Sequence, residues 1–343
     1  MLAQIEYPRL SLARYQFNFS ADSAFRLPDY AGSAWRGAFG RALKRLVCVT
    51  REPVCANCLL YRSCSYPYIF ETPPDPGLGV MTQASAAPHP YVLTPAPGRG
   101  ERAAGATVTL GLTLLGHSLR QLPYIVHALA QAGQHGLTAA RAPLTLRAVW
   151  QQDEAGDWQL IYCPDAGPQS RLQPLPAITP SVPPCPPRLT LTLITPLRIK
   201  RGGHFATPDR FDFATLFSGL LRRISLLMQF HGEAALSTDF AALSQQARAI
   251  PLRRTELYWR EYTRYSSRQK TSMQLGGVVG QIELDGHDLA PFWPYLWLGQ
   301  WTHAGKMTSM GLGRYSILAD KLASPAALST ELDNAMRYHQ QQL

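Results

Sequence analysis

Nine prolines crowd the twenty-four residues from Pro164 to Pro187, and neither a helical nor an alternating apolar pattern runs through them. Proline fixes φ and lacks a backbone donor, so such a stretch serves neither as the body of a helix nor as a central strand. It reads as an extended, semi-rigid linker between two domains, residues 1–163 and 188–343. Each half is long enough to bury a core of its own.

The halves repeat one order of elements. In the first, residues 9–19 alternate as a strand, and Trp35, Phe39, Leu43 and Leu46 recur every three or four residues along a helix over 33–47. A strand over 107–115, a helix with Leu119, Leu122, Val126 and Leu129 on one face, and a strand over 143–150 follow. Residues 73–102, rich in Pro, Gly and Ala, are expected to be a long surface loop. The second half opens with a strand over 188–200, where Leu189, Leu191 and Leu193 alternate, and continues into a helix over 213–228 with an i, i+3, i+4, i+7 stripe. A helical connection over 239–249, a hairpin-like region over 252–284, a short aromatic helix over 291–300 and a last strand at 315–318 complete it. A β-α-β-β-α-β order in each half is an α+β class: two ferredoxin-like (RRM-like) domains in tandem, the first interrupted by a cysteine-rich insertion.

That insertion holds Cys48, Cys55, Cys58 and Cys64, spaced C-x6-C-x2-C-x5-C. Four thiols this close suit one tetrahedral Zn²⁺ in a structural site, with an iron–sulfur cluster and unligated thiols as the competing readings. Cys163 and Cys185 have no partners by spacing.

The segment Trp301–Tyr315 joins three glycines, three Ser and Thr hydroxyls, an imidazole and two cations in fifteen residues. Read as chemistry, it is an anion-gripping loop in which Ser309, Gly311 and Gly313 bring backbone close to a phosphate while Lys306 and Arg314 neutralise it. It does not match a P-loop, because five residues separate Gly299 from Gly305 and Met307 stands where Ser or Thr binds magnesium. A plain turn before the last strand is the simpler alternative.

Lys and Arg exceed Asp and Glu by 33 to 23, a net charge of +10, and most of the cations are arginine, which favours a polyanionic partner. Residues 248–270 concentrate them, with Arg264, Arg268 and Lys270 among Tyr258, Trp259, Tyr262 and Tyr265; charge for phosphates and flat faces for unstacked bases suit single-stranded nucleic acid. A solvated hairpin with its aromatics turned inward is the alternative. Arg198, Lys200, Arg201 and Arg210 surround a Gly202-Gly203-His204 turn, and Arg36, Arg41, Lys44 and Arg45 give the first helix a basic face of the kind that is often merely solvated. Residues 1–10 carry no apolar leader and the apolar run at 108–115 is too short to span a bilayer, so no membrane partner and a cytoplasmic location are expected. His303 lies three residues before Lys306, and neither His-Glu-x-x-His nor a paired aspartate cluster is present. That leaves room for metal-free RNA cleavage, with a base for the 2′-OH proton, an acid for the leaving oxygen and a cation for the phosphate.

Taken together, Gly32-Ser33-Ala34-Trp35-Arg36-Gly37-Ala38-Phe39-Gly40, the four cysteines, Pro196-Leu197-Arg198-Ile199-Lys200, Tyr265-Ser266-Ser267-Arg268-Gln269, Gly276-Gly277-Val278-Val279-Gly280 and the segment His303–Tyr315 resemble the CRISPR precursor-RNA-processing endoribonucleases of the repeat-associated mysterious protein (RAMP) superfamily. The resemblance implies two ferredoxin-like domains, CRISPR repeat RNA as substrate, metal-independent cleavage to a 2′,3′-cyclic phosphate and a 5′-hydroxyl, and retention of the crRNA product among other subunits of an effector complex. The residues themselves suggest His303 and Lys306 as catalytic groups, and Lys200, Arg201, Arg264, Arg268, Lys270, Ser309, Gly311, Gly313 and Arg314 as RNA contacts. Many members carry a catalytic histidine on or near the first helix, and residues 33–47 contain none. Activity then rests on His303, passes to His204 or to Lys and Tyr side chains, or is absent; a non-catalytic RNA-binding subunit and a zinc-containing nucleic-acid-binding regulator are the alternative functions.

Overall fold

The structure, a computed structural model, describes residues 7–73, 87–96, 98, 100–137, 141–266 and 271–319. Alternation along β1 (Leu12–Ala21) sends Tyr15, Phe17 and Phe19 into the first core. This strand is central: β5 (Thr107–Leu115) and β6 (Leu144–Gln152) flank it antiparallel, with β3 (Tyr91–Pro95) beyond β5 and β7 (Trp158–Tyr162) beyond β6. Helices α1 (Gly32–Val47) and α3 (Leu122–Gln134) pack together and bury Trp35, Phe39, Leu43, Ile125 and Leu129 in that core. Each such side chain contributes about 1.5–3 kcal/mol. A short pair, β2 (Phe25–Leu27) with β4 (Gly100–Arg102), and helix α2 (Ser65–Phe70) complete this half.

The second half repeats the plan. Strand β8 (Arg188–Leu197) leads through the hairpin β9 (Lys200–Arg201) and β10 (His204–Phe205) into α4 (Phe213–His231), whose first turn is capped by Asp212 accepting from the Thr215 N–H at 2.7 Å. After α5 (Phe240–Gln246) come β11 (Arg254–Arg260), the inner pair β12 (Thr263–Ser266) and β13 (Thr271–Gln274), β14 (Gly277–Asp285), α6 (Trp293–Thr302) and β15 (Tyr315–Ala319). The sheet order is β11-β14-β8-β15, and in the first half it is β3-β5-β1-β6. These are one permutation, second, third, first and fourth strand of a β-α-β-β-α-β unit, so both halves are ferredoxin-like.

Between Ser170 and Pro187 the chain is extended, tied by Ile178 pairing with Leu12 and by Trp293 and Trp297 donating to the carbonyls of Pro183 and Ser181 at 2.6 and 2.9 Å. The stretch 73–102 departs from a surface loop, because β3 inside it buries Tyr91, Val92 and Leu93 completely. Pro88, Pro90 and Pro95 disguise this strand, and its place at the sheet edge is what tolerates them. No described helix is long and apolar enough to cross a membrane.

Candidate functional site

The glycine-rich segment lies where the two halves meet. Its backbone is largely consumed by the protein: the N–H groups of Ala304, Lys306, Met310, Gly311, Gly313 and Arg314 donate to Gly313, Arg198, Met307, Thr308, Pro196 and the Thr195 hydroxyl. Residues 308–313 are all buried. Gly313 has φ +70°, and a Cβ there would stand 1.8 Å from the Ala304 carbonyl oxygen. On the other side α1 begins against the same turn, so that a Cβ on Gly32 would meet the Met310 oxygen at 2.0 Å. Tyr30 donates to that oxygen at 2.5 Å, and Arg36 donates through Nε to the Ser309 hydroxyl at 3.1 Å. The geometry therefore revises the anion-cradle reading of Ser309, Gly311 and Gly313: these residues clasp the two domains together, and their close packing is why glycine is required. Arg36, expected on a solvated face, instead spans the interface, with its guanidinium over Phe70 and a second bond of 2.9 Å to His89 Nε2.

His303 lies inside this clasp. It is 3% exposed, its Nδ1–H donates to the Leu312 carbonyl at 3.2 Å, and burial, helped by the Arg314 charge, pushes its pKa down to about 3. A neutral, enclosed imidazole of this kind touches no surface from which it could reach a phosphate or a 2′-OH, so this geometry does not support the expected role of His303 as general base or acid. His231 of α4 is comparable: fully buried, donating from Nε2 to the Pro88 carbonyl at 2.8 Å, accepting from the Tyr68 hydroxyl, and lowered by burial to about 4. Arg223, beside them, donates to the Thr302 carbonyl at 2.7 Å and is lowered by burial to about 9.

Two surfaces around the clasp are open. The first carries Lys306, exposed, whose backbone is bonded to Arg198 and so sits against the start of the β9–β10 hairpin. Lys200, Arg201 and His204 on that hairpin are exposed as well; Lys200 rests over Phe205, Arg201 pairs with Asp212 at 2.6 Å, and His204 Nδ1–H donates to the Gly202 carbonyl. The second is a cleft of about 1070 Å³ between the β3 end and Tyr30 on one wall and β8, β14 and β11 on the other. That is just above the usual range for ligand pockets, ~300–1,000 Å³. Arg260 and Arg314 supply positive charge in it, Asp29, Glu256 and Glu261 oppose them, and Tyr30 stacks on Tyr262 with centroids 4.9 Å apart. Burial lowers the pKa of Arg314. Sequence reasoning missed Tyr30, whose only local signal is its place two residues before the GSAWRGAFG run.

Tyr258 and Trp259 on the edge strand β11 are 54% and 39% exposed, so these two aromatics are not turned into the core, whereas Tyr262 is partly buried against Tyr30 and the side chain of Tyr265 lies outside the described residues. Arg264 lies on β12, its side chain outside the described residues, and Arg268 and Lys270 fall outside them altogether. All four clustered cysteines line one small cavity between the end of α1 and α2, and among the described residues no group of three ligating side chains is already set to hold an ion.

Comparison with known proteins bears on the fold. Residues 191–315 match the family described as CRISPR-associated endoribonuclease Cas6, and residues 10–176 match a family described only as an N-terminal domain. An uncharacterised protein of Archaeoglobus fulgidus is 28% identical over 116 residues, a match that takes in 34% of this chain and 38% of that relative. Among solved structures, a Thermus thermophilus Cas6 product complex superposes with a TM-score of 0.54 at 19% identity, covering 90% of this chain and all of that one. A chain of a partial Cas6-RT-Cas1–Cas2 complex gives 0.55 at 15% identity over 92% of this chain and 47% of that one. At these identities the structural likeness speaks for the fold.

Proposed function

We propose that the chain is a Cas6-like endoribonuclease of the RAMP superfamily that binds CRISPR repeat RNA and cuts the precursor within each repeat. The observation that carries this reading is the match of residues 191–315 to the Cas6 endoribonuclease family, which runs from β8 through the basic hairpin and the clasp to β15. Exposed Tyr258 and Trp259 beside arginines support a single-stranded flank lying along the edge of the cleft.

The chemistry needs no group outside the RNA and the chain. The 2′-oxygen attacks the adjacent phosphorus, the bond to the 5′-oxygen breaks, and the products are a 2′,3′-cyclic phosphate and a 5′-hydroxyl. One group takes the 2′-OH proton and one returns a proton to the 5′-oxygen. With His303 enclosed, we assign proton transfer to His204, the histidine exposed on the surface that also presents Lys306, Lys200 and Arg201, and assign charge stabilisation at the phosphate to Lys306. Product retention and docking to further subunits of a CRISPR ribonucleoprotein belong to the same proposal.

A second reading, a non-catalytic RNA-binding subunit, is favoured by one specific observation: α1 has no histidine and His303 is buried. Single-turnover incubation of the protein with its own repeat RNA in EDTA separates the two. Site-specific cutting that slows about 10²–10⁴-fold in His204→Ala, with affinity held within a few fold, supports the enzyme and its assignment. Tight binding with intact RNA supports the subunit.

A further inference from the structure

Residues 48–66 take a defined course without a core. None of them is buried, yet the chain makes a succession of tight turns: Cys58 N–H to the Cys55 carbonyl, Tyr61 N–H to the Cys58 carbonyl, and Cys64 N–H to the Leu60 carbonyl, at 3.0, 2.9 and 2.9 Å. The apolar side chains of the segment point the wrong way for hydrophobic packing, with Leu59, Val49 and Val54 at 87, 76 and 54% exposed. Half-buried Cys48, Cys55, Cys58 and Cys64 turn inward instead and line a single cavity. Only Leu60, Tyr61 and Tyr66 among the larger apolar side chains are partly buried beside the thiols, and a segment this size with no fully buried residue needs another source of stability.

We propose that Cys48, Cys55, Cys58 and Cys64 form a structural zinc site. The cavity they line has about 20 Å³, close to the space of one water-sized sphere. The four thiols line it without being grouped at ligand distance among the described residues, so a single Zn²⁺ would draw them inward on binding. On binding, the thiols release their protons to solvent and all four become thiolate ligands, with no position left open for chemistry. Thr50, whose hydroxyl is 3.2 Å from the Cys58 sulfur, is placed as an outer hydrogen-bond partner. The site would clip the loop onto α2, which carries Tyr68 against His231 and Phe70 under Arg36, so its effect on RNA would come through the domain clasp.

The test uses the full-length chain purified under reducing conditions without chelator. Elemental analysis is expected to give about one zinc per chain, retained in Cys163→Ser and Cys185→Ser and lost in Cys55→Ser and Cys58→Ser. Should those variants fail to fold, the wild-type protein still answers: a strong chelator should lower its melting temperature and expose four further thiols per chain to a thiol reagent, and Cd²⁺ added to the stripped protein should produce thiolate-to-metal absorption. Less than a tenth of an equivalent of zinc together with no Cd²⁺ band would overturn the site. Four irons with sulfide would overturn the metal's assignment.

Discussion

The glycine-rich segment 303–315 and the hairpin 200–205 lie side by side and are made of the same residue types: two or three glycines, one histidine and two cations apiece. Their environments are opposite. His303 is enclosed and His204 exposed; Gly313 has a carbonyl oxygen where its Cβ would be, while Gly202 and Gly203, with φ +57° and +86°, have nothing within 4 Å. One set holds two domains together, and the other is free to meet a ligand. Residue type alone does not distinguish a clasp from a binding loop; what distinguishes them is whether the backbone donors and side chains are already spent.

The largest expected difference between the two regions is in stability. Gly313→Ala forces a Cβ onto the Ala304 carbonyl in a left-handed backbone and should cost about 3 kcal/mol or more, because backbone on both sides must move. Gly202→Ala meets only the left-handed penalty and should cost about 1–2 kcal/mol. Chemical denaturation of the two variants checks this, and equal losses would break the contrast.

Acid should act next, chiefly through the enclosed histidines, beside which half-buried His89 is also pushed down to about 3 by burial and the neighbouring Arg36 charge. His303 and His231 are held at about 3 and about 4, below the unfolded value near 6.5, so both stay neutral when folded and take up protons on unfolding. Stability from them is full above pH ~6.5 and is lost as pH falls toward the folded values, with a slope of up to about 1.4 kcal/mol per pH unit for each histidine. Denaturant midpoints measured from pH 7 down to pH 4.5 should show this slope, flattened in His231→Gln and unchanged in His204→Ala. A profile that does not respond to His231→Gln would mean that the ring is hydrated.

Much of the fold was legible because it rests on patterns that local sequence carries. The linker prolines, the alternation of β1 and β8 and the stripes of α1 and α4 specify two β-α-β-β-α-β units, since an apolar face must find a partner face. Strand β3 escaped because its three buried residues sit between prolines, and its pairing with β5 is a long-range contact that no local period reports. The candidate site was half legible. The glycines and cations of 303–315 mark an unusual place, yet whether Ser309 faces a phosphate or Arg36 is decided by a residue 273 positions away. Tyr30 and Tyr262 likewise meet only in three dimensions.

His303→Ala tests the same contrast at smaller scale. It removes one buried hydrogen bond and leaves space beneath the clasp, so stability should fall by about 1–3 kcal/mol. The rate of RNA cleavage under conditions where the variant is fully folded should stay within a few fold of wild type. A loss of 10²-fold or more in that folded variant would return the imidazole to the chemistry and imply that the clasp opens to admit RNA.

The smallest effect belongs to the exposed hairpin cation. Lys200 makes no ion pair among the described residues and rests over the Phe205 ring, so truncating it should leave stability within about 0.5 kcal/mol. If its ammonium meets a backbone phosphate, Lys200→Ala weakens RNA binding a few fold, whatever the sequence of the RNA, and lowers the slope of log affinity against log salt by about 0.7, the counterion release for one phosphate of a single strand. Arg201 is a stricter comparison, because its guanidinium must leave Asp212 to reach the RNA and should contribute less to the slope. Binding isotherms at several salt concentrations measure both. An unchanged slope in Lys200→Ala would place the RNA away from this hairpin and leave the cleft, with Arg260 and Arg314, as the face that holds it.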